Sequence, residues 1–151
     1  MSLYFPMFVD ISGKRVLFIG GGRLEVARVI AILDFAGSVT VVSPEAEPEI
    51  IKLAQVGYIT YDRRRFDETD LDSADIVLVN TGHSGTDIRI AGMCRRRGIL
   101  VNAVSPEAPS DFHFPGIARR DPLVVGVSAS GEDAKMEAEA TAYFKRLIEK
   151  K

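Results

Sequence analysis

The apolar positions in the first two-thirds of the chain form short continuous runs, separated by longer segments with helical spacing. The strand-like runs cover residues 15–19, 38–42, 58–61, 75–79 and 99–101. The helical segments cover residues 24–36, 48–56 and 86–97, and a glycine follows each of them. Uninterrupted apolar strands are typical of a parallel sheet that is covered on both faces. This alternation therefore predicts an α/β fold with a doubly wound parallel sheet.

The last third of the chain has a different pattern, which begins with a proline-rich loop after Val104. An interrupted strand, a turn, a second strand and a helix are predicted at residues 112–118, 119–122, 123–128 and from 133 onward. The helix carries an apolar stripe with helical spacing, formed by Ala140, Tyr143, Phe144, Leu147 and Ile148. Two strands and one amphipathic helix are too little for an independent core. We therefore divide the chain into residues 1–110 and a small C-terminal strand–helix segment, 111–151, which must pack on the main domain or on a second chain.

Three glycines, Gly20, Gly21 and Gly22, stand between the first strand and the first helix. A strand, a glycine turn, a helix and a second strand within about thirty residues form the arrangement that binds a dinucleotide pyrophosphate. The glycines let phosphate oxygens approach bare backbone, and the helix directs N–H groups and its positive dipole end at the anion. The pattern predicts a Rossmann-like nucleotide site. Glu25, where a small residue is usual, is expected to point to solvent with Arg23 as a partial counterweight.

In such a sheet the cofactor lies along the carboxyl ends of the strands. Besides the three glycines, the residues expected to bind it are Arg23, Leu24, Ser43, Pro44, Glu45, Asn80, Thr81 and Val104. Glu45 follows the second strand, and an acid there favours the free ribose hydroxyl of NAD over the phosphate of NADP. NAD is therefore the predicted cofactor, although a solvated turn glutamate would explain Glu45 equally well.

Composition narrows the functional class. A formal net charge of −2 argues against a general nucleic-acid binder, which is usually basic. No apolar run approaches the roughly 20 residues of a membrane span, and the apolar N-terminus lacks the basic residues that open a signal peptide. The single cysteine, Cys94, allows no internal disulfide, and its spacing to His83 and His113 is not that of a metal site. We expect a cytoplasmic protein without a metal, nucleic-acid or membrane partner.

Further segments match the pattern of one protein family in order along the chain. They are Tyr4-Phe5-Pro6-Met7-Phe8-Val9-Asp10-Ile11-Ser12-Gly13 and the strand with its glycines, then Val39-Thr40-Val41-Val42-Ser43-Pro44-Glu45, Arg65-Phe66 with Asp70-Leu71, Arg97-Gly98-Ile99-Leu100-Val101-Asn102, Asp111-Phe112 with Phe114-Pro115, and Pro122-Leu123 with Val127-Ser128. The chain resembles the precorrin-2 dehydrogenases, the NAD-dependent module of siroheme synthases, over nearly its whole length.

This resemblance implies that NAD oxidises precorrin-2, a tetrapyrrole with eight carboxylates, to sirohydrochlorin in the biosynthesis of siroheme or a related tetrapyrrole. It also implies an intertwined homodimer in which the segment after the Rossmann sheet exchanges contacts between chains. Residues 111–151 are therefore the expected dimerisation segment, and the partners are a second copy and the tetrapyrrole substrate.

The family typically places an aspartate, proposed as general acid or base, directly after the fifth strand, where this chain has Ser105. A serine hydroxyl cannot accept a proton near neutral pH without an activating base. Glu107, Asp111 and His113 follow closely and could substitute. We take Ser105, Asp111 and His113 as the candidate catalytic residues. The competing explanation for His113 is a histidine at a sheet or dimer surface.

Three arginine clusters could bind a polycarboxylate substrate, because arginine pairs with carboxylates in bidentate fashion. They are residues 63–65, 95–97 and 119–120. The first is expected in a solvated loop and the second at a helix C-terminus, so the third is the candidate for gripping substrate.

Two competitors to the dehydrogenase remain open. The first is a non-catalytic dimeric protein that binds NAD or a tetrapyrrole on the same scaffold. The second is a nucleotide-sensing regulatory domain, which would not predict the matches from Asp111 onward.

Overall fold

The computed structural model describes residues 2–150, and their contacts divide into two units. The larger unit spans Val9–Phe112. Its strands are β1 (Arg15–Ile19), β2 (Ser38–Val42), β3 (Thr60–Asp62), β4 (Ile76–Val79) and β5 (Leu100–Ala103). Its helices are α1 (Arg23–Ile32), α2 (Pro48–Gln55) and α3 (Ser84–Arg96), and a 3₁₀-helix, Glu68–Ser73, precedes β4.

The five strands of the larger unit form one parallel sheet in the order β3-β2-β1-β4-β5. The chain winds outward from β1 to β3, returns to the other side of β1 with β4, and ends at the edge with β5. Ile19, the last residue of β1, lies opposite both Val42 and Val79. The order therefore reverses beside the carboxyl end of β1, where such folds form their ligand crevice. The predicted α/β fold with a parallel sheet is confirmed.

The core of the larger unit explains why its strands are continuous apolar runs. Val16, Leu17, Phe18 and Ile19 of β1 are at most 4% exposed. Because successive side chains of a strand point to opposite faces, both faces of β1 must be covered. The strands next to it carry the same pattern, with Val41, Val42, Val77 and Val79 at 1% or less.

Helix α1 is shorter and less enclosed than its sequence predicts. It ends at Ile32 instead of Ala36, and Ile30 is about half exposed on its outer face. Gly37, expected to stop the helix, instead donates its N–H to the carbonyls of Ile11 and Lys14. A Cβ on Gly37 would lie 2.7 Å from a backbone oxygen of the same segment. Glycine is needed there for close approach of two stretches of chain.

The smaller unit combines the N-terminal residues up to Phe8 with the chain from His113 onward. It holds an antiparallel pair, β6 (Gly116–Arg120) and β7 (Leu123–Val127), and helix α4 (Ala134–Glu149). The first strand begins at Gly116 rather than at residue 112, because Pro115 has no N–H to donate to a strand partner. Consequently the predicted turn at 119–122 is partly wrong, since Arg119 and Arg120 belong to β6. The division at residues 110 and 111 stays a prediction.

Helix α4 is fixed at both its start and its inner face. Asp133 caps it by accepting the N–H of Met136 at 2.9 Å, as an acid at this position predicts. Thr141 is buried against Gly116 of β6, where a Cβ would overlap its side chain. The outer face leaves large apolar side chains about half exposed or more: Met136, Tyr143 and Leu147.

Candidate nucleotide-binding site

The glycine turn after β1 is built so that two of its glycines cannot carry a side chain. Gly20 has a φ of +128°, and a Cβ there would overlap the carbonyl of Asn80 at the end of β4. A Cβ on Gly21 would lie 2.8 Å from that of Ala46. Bare backbone is therefore packed tightly at the reversal of strand order, which is the geometry that a phosphate-binding turn requires.

Helix α1 begins directly after this turn and offers free donors. Gly22 is its N-cap residue and provides no side-chain cap, and the first helical bond runs from Val26 N–H to the Gly22 carbonyl. The N–H groups of residues 22–25 therefore have no acceptor within the helix. Together with the positive end of the helix dipole they fit the pyrophosphate of a dinucleotide.

Glu25 is buried, which makes its predicted exposure to solvent wrong. It is 3% exposed and lies on the same stripe of α1 as Val29 and Ile32, which faces the core. Its Oε1 lies 3.3 Å from an ideal Cβ on Gly20, and its Oε2 lies 3.4 Å from one on Gly22. Within residues 2–150 no hydrogen-bond partner reaches Oε2. The carboxylate thus lies against the glycine turn.

Arg23 does not act as the expected counterweight to Glu25. Its guanidinium donates to Glu49 at 2.6 Å and to Glu47 at 2.8 Å, both at the start of α2. These two carboxylates raise the pKa of Arg23, chiefly through the hydrogen bond that Arg23 donates to Glu49. Its positive charge is therefore shared with two acids outside the turn.

The turn after β2 contains an acid, and an arginine contacts its backbone. The Ser43 hydroxyl donates to the carbonyl of Glu45 at 2.6 Å, and the Glu45 side chain is exposed. Arg63, which sequence analysis assigned to a solvated loop, donates its Nε–H to the Pro44 carbonyl at 3.3 Å. The pairing of β2 with β3 brings the arginine there, through Tyr61, whose hydroxyl donates to the Ser43 carbonyl. An arginine at this position suits the 2′-phosphate of NADP, as an acid suits NAD.

The ends of β4 and β5 supply the other predicted cofactor residues. Asn80 donates its N–H to the Ile19 carbonyl, and Thr81 donates both its N–H and its hydroxyl to the buried Asp87 of α3. Val104 donates its N–H to the Val79 carbonyl. The predicted cofactor residues therefore all lie in the larger unit, at the carboxyl ends of the strands or the start of α1. Whether they bind cofactor stays a prediction.

Ser105 stands just beyond β5 with a carboxylate beside it. Its hydroxyl donates to Oε2 of Glu107 at 2.6 Å, and this hydrogen bond lowers the pKa of Glu107. Glu107 is thus ionised at neutral pH and exposed at the same strand end. A carboxylate is therefore present at the end of β5, but Glu107 supplies it and not the residue at position 105.

Asp111 has a structural role along the edge of the sheet. Its N–H donates to the Val101 carbonyl at 2.7 Å, and its Oδ2 accepts the Val101 N–H at 3.0 Å. Ser110 accepts the N–H of Ala103 in the same way. These contacts cover the free edge of β5, as unpaired strand edges require. The Asp111 carboxylate accepts its hydrogen bond beside Val101, in the middle of β5 and not at the carboxyl end where the cofactor is expected. This position gives no support to the predicted catalytic role of Asp111.

His113 forms a pair with Glu137 of α4 in the smaller unit. Its Nε2 lies 3.2 Å from Glu137 Oε2, which also accepts the Ala129 N–H at 3.0 Å. The ring of Tyr4 lies 5.5 Å from that of His113, centroid to centroid. Residues 112–114 are not part of a strand, so the predicted strand is wrong over these positions. Sequence spacing could not reveal the pair, because the partners are 24 positions apart.

The arginine clusters are engaged in local contacts. Arg120 donates to the carbonyls of Ile148 and Lys150 at the end of α4, and Arg119 pairs with Asp121. Arg64 pairs with Asp70. The cluster expected to grip substrate therefore has structural partners, as helix C-termini commonly provide for cations.

The part of the chain that the structure describes holds no group of three or more residues able to bind a metal. Burial raises the pKa of the Cys94 thiol to about 11, so it is neutral at physiological pH. Between residues 2 and 150 no helix has the length and apolarity to span a bilayer.

The parallel sheet, the glycine turn at the reversal of strand order and the uncapped start of α1 define a Rossmann-type nucleotide-binding protein. A family model described as "Putative NAD(P)-binding" matches residues 7–116. The chain therefore belongs to this NAD(P)-binding family.

Among curated proteins the chain is similar to siroheme synthases. It is 34% identical over 128 residues to that of Methylococcus capsulatus and 29% identical over 145 residues to that of Nitrosococcus oceani. These matches cover 85% and 96% of this chain but only 27% and 31% of the two relatives. The resemblance predicted from the sequence is confirmed.

Among solved structures, SirC, a precorrin-2 dehydrogenase, superimposes with a TM-score of 0.73 at 22% identity. The match covers 95% of this chain and 71% of that protein. It supports the fold, including the strand pair and helix that follow the parallel sheet.

Proposed function

We propose that this chain is an NAD-dependent dehydrogenase that oxidises precorrin-2 to sirohydrochlorin in siroheme or related tetrapyrrole biosynthesis. The observation that carries the proposal is the tight glycine turn at the reversal of strand order. It occurs in a chain that aligns with siroheme synthases over 85% or more of its length.

In this proposal the cofactor binds at the carboxyl edge of the sheet. The N–H groups at the start of α1 bind the pyrophosphate, and the turn after β2 contacts the adenosine ribose. The bound cofactor would supply a nicotinamide as the hydride acceptor for oxidation of the reduced macrocycle. We propose NAD rather than NADP on the strength of Glu45, and Arg63 is the residue that argues the other way.

The proton that the macrocycle loses passes either to solvent or to a side chain of this protein. Glu107 is one candidate, since it is ionised and hydrogen-bonded to Ser105 at the end of β5. His113 is the other, since a hydrogen bond to Glu137 holds the position of its ring. Ser105 then orients Glu107, and Asp111 holds the sheet edge.

A homodimer is part of the proposal. Helix α4 leaves Met136, Tyr143 and Leu147 about half exposed or more, which is unusual for large apolar side chains on one helix face. A second copy that covers this face would remove it from water. We also place the protein in the cytoplasm, where the free Cys94 would stay reduced.

One observation favours a second candidate, a non-catalytic dimer that binds NAD or a tetrapyrrole. This chain has Ser105 where the family resemblance implies an aspartate, so the scaffold could retain binding without proton transfer. This candidate predicts cofactor binding without turnover.

The test is anaerobic incubation of the purified protein with precorrin-2 and NAD, monitoring sirohydrochlorin and NADH by absorbance. Formation of both products supports the dehydrogenase. Binding of NAD or precorrin-2 without products supports the second candidate. Absence of NAD and NADP binding contradicts the dehydrogenase, and absence of precorrin-2 binding as well contradicts both.

Two variants assign the proton acceptor once turnover is measured. Loss of a general base typically costs 10²–10⁴-fold in rate. We expect either Glu107→Gln or His113→Asn to lower kcat in this range while NADH affinity is kept. Glu139→Gln, on the exposed side of α4, is the matched control, and equal rates in all three would contradict both assignments.

A further inference from the structure

We infer that Glu25 sets the affinity of this protein for its dinucleotide, because its carboxylate competes with the pyrophosphate for the glycine turn. The inference rests on the proposed function only in that a dinucleotide binds at this turn. It does not depend on which substrate is oxidised.

The first step is the position of the carboxylate. The Glu25 residue is almost fully buried, with 3% of its surface exposed, and its two carboxylate oxygens lie beside Gly20 and Gly22. Glycines stand in such a turn so that phosphate oxygens can approach the backbone, and here the carboxylate oxygens of Glu25 make that approach. A side chain of the protein thus takes up space that the ligand needs.

The second step is the identity of the donors. Glu25 is the third residue of α1 after its N-cap, Gly22. A glutamate at this position is placed to reach back to the N–H of the N-cap residue. That N–H belongs to the same set, residues 22–25, that would bind the pyrophosphate. Among the described residues no hydrogen bond joins the Glu25 carboxylate to these N–H groups, but its oxygens lie beside Gly20 and Gly22, so the carboxylate and the pyrophosphate are two anions for one place at the turn.

The third step is charge. Oε2 of Glu25 has no hydrogen-bond partner among the described residues. Arg23 is paired with Glu47 and Glu49, and Arg28, one turn along α1, donates to Asn102. A pyrophosphate that enters beside Glu25 brings further negative charge into a poorly solvated place, where like charges repel strongly. The dinucleotide must displace the Glu25 side chain, and this lowers its affinity.

The test measures the affinity for NADH and for ADP-ribose by isothermal titration calorimetry on the full chain. Glu25→Gln removes the charge in nearly the same volume, Glu25→Ala removes charge and bulk, and Glu25→Asp keeps the charge. We expect the first two to bind both ligands about tenfold more tightly than the wild type, which corresponds to about 1.4 kcal/mol. Glu25→Asp should stay within about threefold of the wild type.

Two controls separate this effect from a general change. Glu139→Gln removes an exposed charge from α4 and should leave both affinities unchanged. Adenosine, which has no phosphate, should bind the wild type and Glu25→Gln equally. Circular dichroism of each variant checks that it is folded, and Glu25→Gln alone decides the outcome if Glu25→Ala does not fold.

The outcomes distinguish this inference from the proposed function. Wild-type binding that Glu25→Gln leaves unchanged or weakens overturns the role of Glu25 and leaves the proposed function standing. Binding by Glu25→Gln when the wild type binds below detection supports the role of Glu25. Absence of binding by the wild type and every variant overturns both.

Discussion

The two units of this protein differ in how their side chains are buried. The large side chains with the lowest exposure all belong to the larger unit, in its strands, helices and 3₁₀-helix. In the described part of the smaller unit only Ala118 and Thr141 are classed as buried, whereas Tyr143 and Leu147 of α4 remain about half exposed. The larger unit therefore has a core of its own, and the smaller unit has apolar surface without one.

Different interactions therefore stabilise the two units. Burial of apolar surface contributes roughly 25 cal/mol per Å², so the sheet and its helices can fold on this contribution. In the smaller unit hydrogen bonds connect many of the described residues. Asp133 caps the start of α4, Arg120 donates to a carbonyl at the C-terminal end of this helix, and Glu137 contacts both His113 and Ala129. Such contacts contribute about 1 kcal/mol each, and in the proposed homodimer the second copy would add the burial of the apolar face of α4.

The largest expected effect comes from a cavity in the core of the larger unit. Ile90 of α3 is fully buried, so Ile90→Ala should lower the free energy of unfolding by about 2–5 kcal/mol. Ile88→Ala on the same helix is the control, because Ile88 is 40% exposed and should cost far less. Chemical denaturation measures both values, and equal losses would contradict the contrast between inner and outer faces.

The next effect tests the apolar face of the smaller unit. In the proposed homodimer Leu147→Lys would bury a charge, so we expect dimer affinity to fall by about 2 kcal/mol, roughly thirtyfold in Kd. Lys145→Glu, which reverses an exposed charge on the same helix, should have little effect. Analytical ultracentrifugation measures the equilibrium. If the wild type is monomeric at all concentrations, a second copy does not cover the apolar face of α4, and the proposed homodimer is refuted.

A smaller effect is expected for the polar contacts of the smaller unit. Glu137→Ala removes the acceptor for both the His113 ring and the Ala129 N–H, and should lower the free energy of unfolding by about 1–2 kcal/mol. Glu139→Ala, two positions along the helix, should be nearly neutral. Thermal denaturation of both variants provides the measurement, and a loss as small as that of the control would show that apolar packing dominates here too.

The smallest effect concerns acid stability of the larger unit. Arg15 lowers the pKa of Asp75 from its usual 3.8 to about 2, chiefly through a side-chain hydrogen bond. Because the folded pKa lies below the unfolded one, this pair stabilises the fold above pH 3.8. The contribution is lost as the pH falls through about 2. Asp75→Asn should therefore flatten the acid limb of the stability profile between pH 4 and 2, whereas Glu132→Gln should follow the wild type.

Much of the larger unit could be predicted from the sequence. Its strands are apolar on both faces, so each one is visible as a continuous run such as Val16 to Ile19, and the order of strands and helices then allows few topologies. The smaller unit was harder to predict because Pro115 interrupts the pattern. Strand β6 begins at Gly116, directly after this proline, and it includes Arg119 and Arg120.

The candidate site likewise has some features that the sequence predicts and others that it does not. Spacing along the chain places the glycines between a strand and a helix, and these positions are correct. Spacing does not say which side of α1 faces the core, so Glu25 was expected in solvent, and it does not reveal contacts between distant residues such as His113 with Glu137 or Arg63 with Pro44. These features depend on packing between elements.

The parallel α/β fold, the glycine turn and the likeness to siroheme synthases can be recognised in the amino-acid sequence, because local apolar periodicity and short motifs carry that information. The burial of Glu25 against Gly20 and Gly22, the cover that Asp111 gives to a strand edge and the hydrogen bond from Ser105 to Glu107 become visible only in the folded chain. The physical reason is that the environment of a charged side chain is set by the elements packed around it. A helix position occupied by glutamate is the same in sequence whether it faces water or a phosphate-binding turn.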